Sequence, residues 1–182
     1  MLSCYKNNYY VITGAPGSGK STLINSLRKE DYICVDEPAR EIIAEQKAIN
    51  GQGLYNKNKK LFLKLMLSRS ICRYNQWNDI DKPIVFDRGM PDVIGYAKLF
   101  ELDPQPFIKA SQICKYNNKI FFLPSWREIY SNDEDRTMSF DDAKMFGDLI
   151  EQSYIDLDYN IITVQLVSID KRVEFISDIL NR

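Results

Sequence analysis

Histidine is absent from the 182 residues, and its absence removes the usual companion ligand for zinc. The four cysteines, Cys4, Cys34, Cys72 and Cys114, stand apart without Cys-x-x-Cys spacing; they read as reduced thiols, mostly filling the core. No apolar run approaches the roughly 18 residues that span a bilayer. The amino terminus lacks the charge, apolar stretch and small cleavage residues of a signal peptide, so the cytoplasm is the expected compartment. Charge of one sign is missing as well. With 24 basic and 25 acidic residues the net charge is -1, and without a basic field no nucleic-acid partner is expected. Repeats, linkers and low-complexity tracts are also lacking. A composition 45% hydrophobic and 27% charged then fits one globular domain over residues 1–182.

What is present is organised around Gly14-Ala15-Pro16-Gly17-Ser18-Gly19-Lys20-Ser21-Thr22, with the apolar run Tyr9-Tyr10-Val11-Ile12 before it and helix-prone residues after it. The spacing G-x-x-x-x-G-K-S is that of a phosphate-binding P-loop. Glycines at both ends let the backbone wrap a phosphate with its N–H groups pointing inward, where a side chain would obstruct the approach. Lys20 reaches for the β- and γ-phosphates, Ser21 offers its hydroxyl to Mg²⁺, and the helix opening near Gly19 turns its positive end to the anion.

Along the chain, strands are expected at 8–13, 32–35, 84–86, 119–123 and 160–164, alternating with helices, the longest from about Asn56 to Asn78. Such alternation predicts an α/β fold, a three-layer α/β/α sandwich with a five-stranded parallel sheet of the P-loop NTPase kind. Ligands gather outside the carboxyl ends of such strands. The P-loop, Asp36-Glu37, Asp87-Arg88 and the polar loop 124–137, a lid candidate, would meet there.

Asp87 closes an apolar strand, the position from which a P-loop protein holds Mg²⁺ directly or through water; a helix N-cap is its other reading. Motor-like ATPases follow that aspartate with a glutamate that polarises water, whereas this chain has Asp87-Arg88. An arginine cannot act as that base. It can clamp a transferring phosphoryl group. Glu37 reads either as the base for an acceptor hydroxyl or as an acid at a helix start, and Arg40 either pairs with Glu37 or touches substrate. Arg127 and Arg136 lie in the polar loop, either closing over a triphosphate or solvated beside Asp133, Glu134 and Asp135. Trp126 and Tyr130 stack on a base or anchor the loop.

With these residues in place, the chain resembles a P-loop family of small AAA-type ATPase domains related to the ribosylnicotinamide kinase domain of NadR. The resemblance rests on Ile12 through Thr22, on Glu37-Pro38-Ala39-Arg40-Glu41-Ile42-Ile43, on Phe86-Asp87-Arg88-Gly89 with Pro91-Asp92, and on Phe122-Leu123-Pro124 with Trp126 and Arg136. It implies Glu37 as base and Arg88 on phosphate or substrate, as in nucleoside kinases more broadly. The expected activity is an ATP- and Mg²⁺-dependent phosphotransferase, a P-loop kinase acting on a small hydroxyl-bearing acceptor of the nucleoside or ribosyl kind. Lys20, Glu37, Arg88, Arg127 and Arg136 would be catalytic, and Ser21 and Asp87 would hold the metal. The alternative is a nucleotide-binding ATPase or GTPase module that switches a protein or lipid partner, since the family includes members linked to phosphoinositides. ATP is expected ahead of GTP because no Asn-Lys-x-Asp element occurs; Asn117-Asn118-Lys119-Ile120 lacks the aspartate.

Overall fold

A computed structural model describes residues 4–131 and 138–181. Five parallel strands form the main sheet: β2 (Tyr9–Gly14), β3 (Ile33–Val35), β4 (Ile84–Asp87), β6 (Lys119–Leu123) and β7 (Asn160–Thr163), in the order β3-β4-β2-β6-β7. Val11 of β2 pairs with Phe86 on one side and Ile120 on the other. The P-loop therefore leaves the middle of the sheet's carboxyl edge. The intervening helices are α1 (Lys20–Lys29), α2 (Pro38–Ala48), α3 (Lys59–Gln76), α4 (Met90–Leu99), α5 (Gln105–Ile113), α6 (Phe140–Ile155) and α7 (Ile169–Leu180). The expected α/β/α sandwich is the observed one, with each strand within a residue or two of its expected place.

Alternation along the strands sorts the core into layers. Ile12, Val85 and Phe121 face α1 and α7, where Leu23, Leu27 and Ile176 complete one cluster. Tyr9, Val11, Phe86 and Ile120 face the other way, onto Tyr74 of α3, Met90 of α4, and Phe146, Ile150 and Tyr154 of α6. Each fully buried aliphatic or aromatic side chain contributes roughly 1.5–3 kcal/mol. A third cluster ties α2, α3, α4 and α5 together through Ile42, Phe62, Leu63, Met66, Val93 and Phe107.

One small element escapes the sequence pattern. Cys4–Tyr5 (β1) and Cys114–Lys115 (β5) make a two-residue parallel pair. The Tyr74 hydroxyl lies 2.8 Å from the Cys4 carbonyl and 2.7 Å from that of Lys115. Segments this short carry no periodicity, and a buried tyrosine 70 residues from Cys4 supplies the polar contact. The thiols also divide more evenly than expected: Cys4 and Cys72 are exposed, leaving only half-buried Cys34 and buried Cys114 in the interior. Burial pushes the Cys34 thiol up to about 11.

Helices α4 and α6 touch closely because Gly95 has no side chain. A Cβ there would stand 3.0 Å from Ile150 Cγ1 and 3.2 Å from its Cα. Gly95→Ala gains about 1 kcal/mol of helix propensity and loses roughly 1–3 kcal/mol to overpacking against backbone. The expected outcome is a lower urea midpoint; a raised one would mean that α4 and α6 separate without resistance.

Candidate active site

Between β2 and α1 the chain makes the turn its glycines require. Gly14, Gly17 and Gly19 have φ of 144°, 77° and 83°, values that side chains rarely adopt. At Gly14 a Cβ would also collide with the Leu123 carbonyl oxygen. The loop ends at Lys20, buried at the first turn of α1, with exposed Ser21 and Thr22 beside it. All three line a cavity of about 640 Å³ together with Ala15, Pro16, Gly17 and Gly19.

Asp87 ends β4, and its carboxylate accepts from Lys20 Nζ. The N-cap of α4 is Gly89, so the capping reading of Asp87 is not realised and its carboxylate points to the P-loop lysine. Glu37 stands at the N-cap position of α2, ahead of Pro38, yet its side chain makes no capping bond. Its Oε2 lies 3.9 Å from Lys20 Nζ and its Oε1 3.1 Å from Arg88 Nε, and Glu37 lines the cavity. The carboxylate faces cations instead of its own helix.

Arg88 adopts a left-handed φ of 66°, uncommon for a residue with a side chain. That turn sends the guanidinium back over the sheet edge, where Nη1 donates to Asp92 Oδ1 at 2.7 Å and to the Gly14 carbonyl at 3.1 Å. Burial works against its charge, but Glu37, with Tyr96, Asp92 and Asp87 behind it, holds the guanidinium pKa well above its ordinary value. Tyr96 shares this corner: burial first and Glu37 next push its phenol upward, with Arg88 opposing. It stays a neutral hydroxyl that can donate.

The structure thus brings together Lys20, Ser21, Glu37, Asp87 and Arg88. Arg40 lines the same cavity. Arg127 is elsewhere, largely exposed, its guanidinium 4.0 Å over the Phe140 ring and 3.3 Å from Asp141. Arg136 and the rest of residues 132–137 lie outside the described residues. Of the two aromatic residues, Trp126 faces the cavity. Tyr130 packs over Gly17, close enough that a Cβ on that glycine would meet its ring at 2.5 Å, and its hydroxyl donates to the Met138 carbonyl at 2.6 Å. The cavity's other half is apolar, walled by Ile43, Tyr55, Phe62, Tyr96, Phe100 and Phe146.

Several contributors carried little or no sequence signal. Asp92, 1% exposed, accepts from Thr13 Oγ1 and Tyr154 Oη at 2.5 Å each, from Arg88, and from the Gly89 N–H at 2.9 Å. Only its i,i+4 spacing from Arg88 hinted at the pairing. Arg73 of α3 donates to the Asp36 carbonyl and to Glu41 of α2, fixing the residue before Glu37. Arg172 of α7 donates to the Ser18 carbonyl at 3.4 Å.

A family model described as AAA domain matches residues 9–172, while comparison with curated proteins gives no match. Among solved structures, deoxyadenosine kinase from M. mycoides, with products dCMP and a flexible dCDP bound, aligns at a TM-score of 0.69 and 20% identity, over 95% of this chain and 98% of that one. NadR in complex with NR aligns at 0.68 and 18%, over 96% of this chain and 52% of that one. Thymidylate kinase from Candida albicans aligns at 0.63 and 18%, over 95% and 90%. These likenesses establish the fold as that of P-loop nucleoside kinases.

Tyr154→Phe removes one donor from buried Asp92 and leaves the Gly89 N–H without its second partner. A loss of about 1–3 kcal/mol is expected. Asp92→Ala, which takes one of two carboxylates from buried Arg88 and the acceptor from Thr13, Tyr154 and the Gly89 N–H, is expected to lose about 3–5 kcal/mol. Urea unfolding of both variants checks the order, and equal midpoints would contradict it.

Proposed function

Because the chain belongs to the AAA-domain family, we propose that it works as an ATP- and Mg²⁺-dependent phosphotransferase acting on a hydroxyl-bearing acceptor of the nucleoside kind. The observation that carries this reading is the position of Glu37. It lines one cavity with the P-loop on one side and an apolar, aromatic half on the other, with Lys20 and Arg88 within 3.9 Å and 3.1 Å of its oxygens. A planar acceptor fits an aromatic enclosure. An acceptor hydroxyl presented there has a carboxylate at hand for its proton. Lys20 and Arg88 are the cations placed to offset charge on the transferring phosphoryl.

Mg²⁺ suits the donors present. Ser21 and Asp87 offer hard oxygens, and Mg²⁺ is usually held by one or two carboxylates with the substrate's phosphates. When bound, the ion would neutralise phosphate charge. Arg127 and Arg136 are proposed to clamp the transferring phosphoryl, which for Arg127 requires its guanidinium to leave Phe140 and Asp141. No helix among the described residues is long and apolar enough to cross a membrane.

The test is ADP release with Mg-ATP across a panel of nucleosides, for the wild type and Glu37→Gln. One compound is expected to raise turnover by orders of magnitude, and the variant to lose roughly 10²–10⁴-fold of that rise. ATP binding with no response to any acceptor, and a variant equal to wild type, would sink the kinase reading. It would leave the nucleotide-dependent switch, for which the Tyr130 contact on Gly17 is the supporting feature.

A further inference from the structure

The end of the cavity beside α7 holds a cation whose donors are not all used. Arg172, one turn into α7, is 3% exposed. Its Nε donates to the Val167 carbonyl at 3.0 Å and its Nη1 to the Ser18 carbonyl at 3.4 Å, while its guanidinium lies 4.4 Å over the Trp126 ring. Nη2 is buried and has no hydrogen-bond partner among the described residues. Burial pulls the Arg172 pKa down, as expected of a charge that has left water with carbonyls and a ring as its company. An unpaired donor on a buried charged group is costly and points to an absent acceptor.

Three contacts fix the plane of the guanidinium, so Nη2 cannot swing to find another partner. Arg172 lines the cavity beside Trp126, Val167 and Ser168, with Ile129 and Ile169 as the adjacent apolar walls. We propose that Arg172 reads the base of the donor nucleotide: Ile129 and Ile169 take the faces of the base, and a ring nitrogen or carbonyl on its edge accepts the Nη2 proton. The inference rests on the nucleotide reading of the P-loop given above and adds the residue that distinguishes a nucleotide from its phosphates. Ser18, whose carbonyl Arg172 also holds, ties the base end to the phosphate loop.

Equilibrium binding of ATP, GTP and inorganic tripolyphosphate, each with Mg²⁺, separates base reading from mere support of the P-loop. Wild type is expected to bind at least one of the two nucleotides more tightly than tripolyphosphate. Arg172→Lys keeps the charge and the apolar stem but loses the fork, and is expected to weaken that nucleotide by tenfold or more, the order expected for one charged hydrogen bond. Tripolyphosphate affinity should stay within about twofold, since Lys20 and the glycines of the P-loop are kept and the bond to the Ser18 carbonyl that is lost is a long one at 3.4 Å. Trp126→Leu unseats the guanidinium without removing it and should act in the same direction, which keeps the test decisive if Arg172→Lys unfolds. Equal losses for nucleotide and tripolyphosphate, or no loss for either variant, would overturn the assignment. A wild type that binds none of the three ligands would instead overturn the nucleotide reading of the P-loop, and this one with it.

Discussion

The candidate active site of this protein depends on one buried carboxylate. Asp92 lies under the end of the central strand and accepts hydrogen bonds from β2 through Thr13, from the turn after β4 through Arg88 and Gly89, and from α6 through Tyr154. A bare carboxylate in such a place would cost several kcal/mol; four donors make it tolerable, and only in one arrangement of three segments. The left-handed turn at Arg88 follows from this. With its guanidinium drawn to Asp92 and to the Gly14 carbonyl, Arg88 is held beside Glu37, and the cation and the carboxylate that face the cavity are set by a residue that does not enter it.

A second network steadies the same carboxylate from outside. Arg73 holds the Asp36 carbonyl and Glu41, and Arg69 bridges Glu41 and Glu45, clamping α2 to α3. These pairs are partly exposed, and each one alone is worth little. Their value is geometric. They fix the entry of the chain into α2, and with it the side of the helix start from which Glu37 projects. The apolar half of the cavity depends on the same two helices, since Ile43 and Phe62 come from them.

The frame of the molecule was legible in the sequence because its signals are local. Strands such as Tyr9–Gly14 and Lys119–Leu123 are short apolar runs, and the P-loop is a contiguous motif whose glycines answer to one turn. Glu37, Asp87 and Arg88 were legible for a related reason, since each follows a strand and strand ends converge. Asp92, Arg73, Tyr96 and Arg172 were not. Each acts through a partner remote in sequence, and a buried aspartate looks like an exposed one until its donors are known. The β1–β5 pair is illegible for want of length. Arg127 shows the opposite difficulty: an arginine in a polar loop has an aromatic face and a carboxylate nearby, and composition cannot rank these against a ligand.

The bond from Arg172 to the Ser18 carbonyl joins residues 154 positions apart, and it bears on how the protein is made. The P-loop is translated early, and its strand can pair with β4 and β6 as those emerge. Its flank beside Gly19, however, is closed by a side chain from α7. During synthesis the Ser18 carbonyl stays without this partner until residue 172 has left the ribosome, so a nascent chain carries its most recognisable motif long before that motif has its last long-range contact.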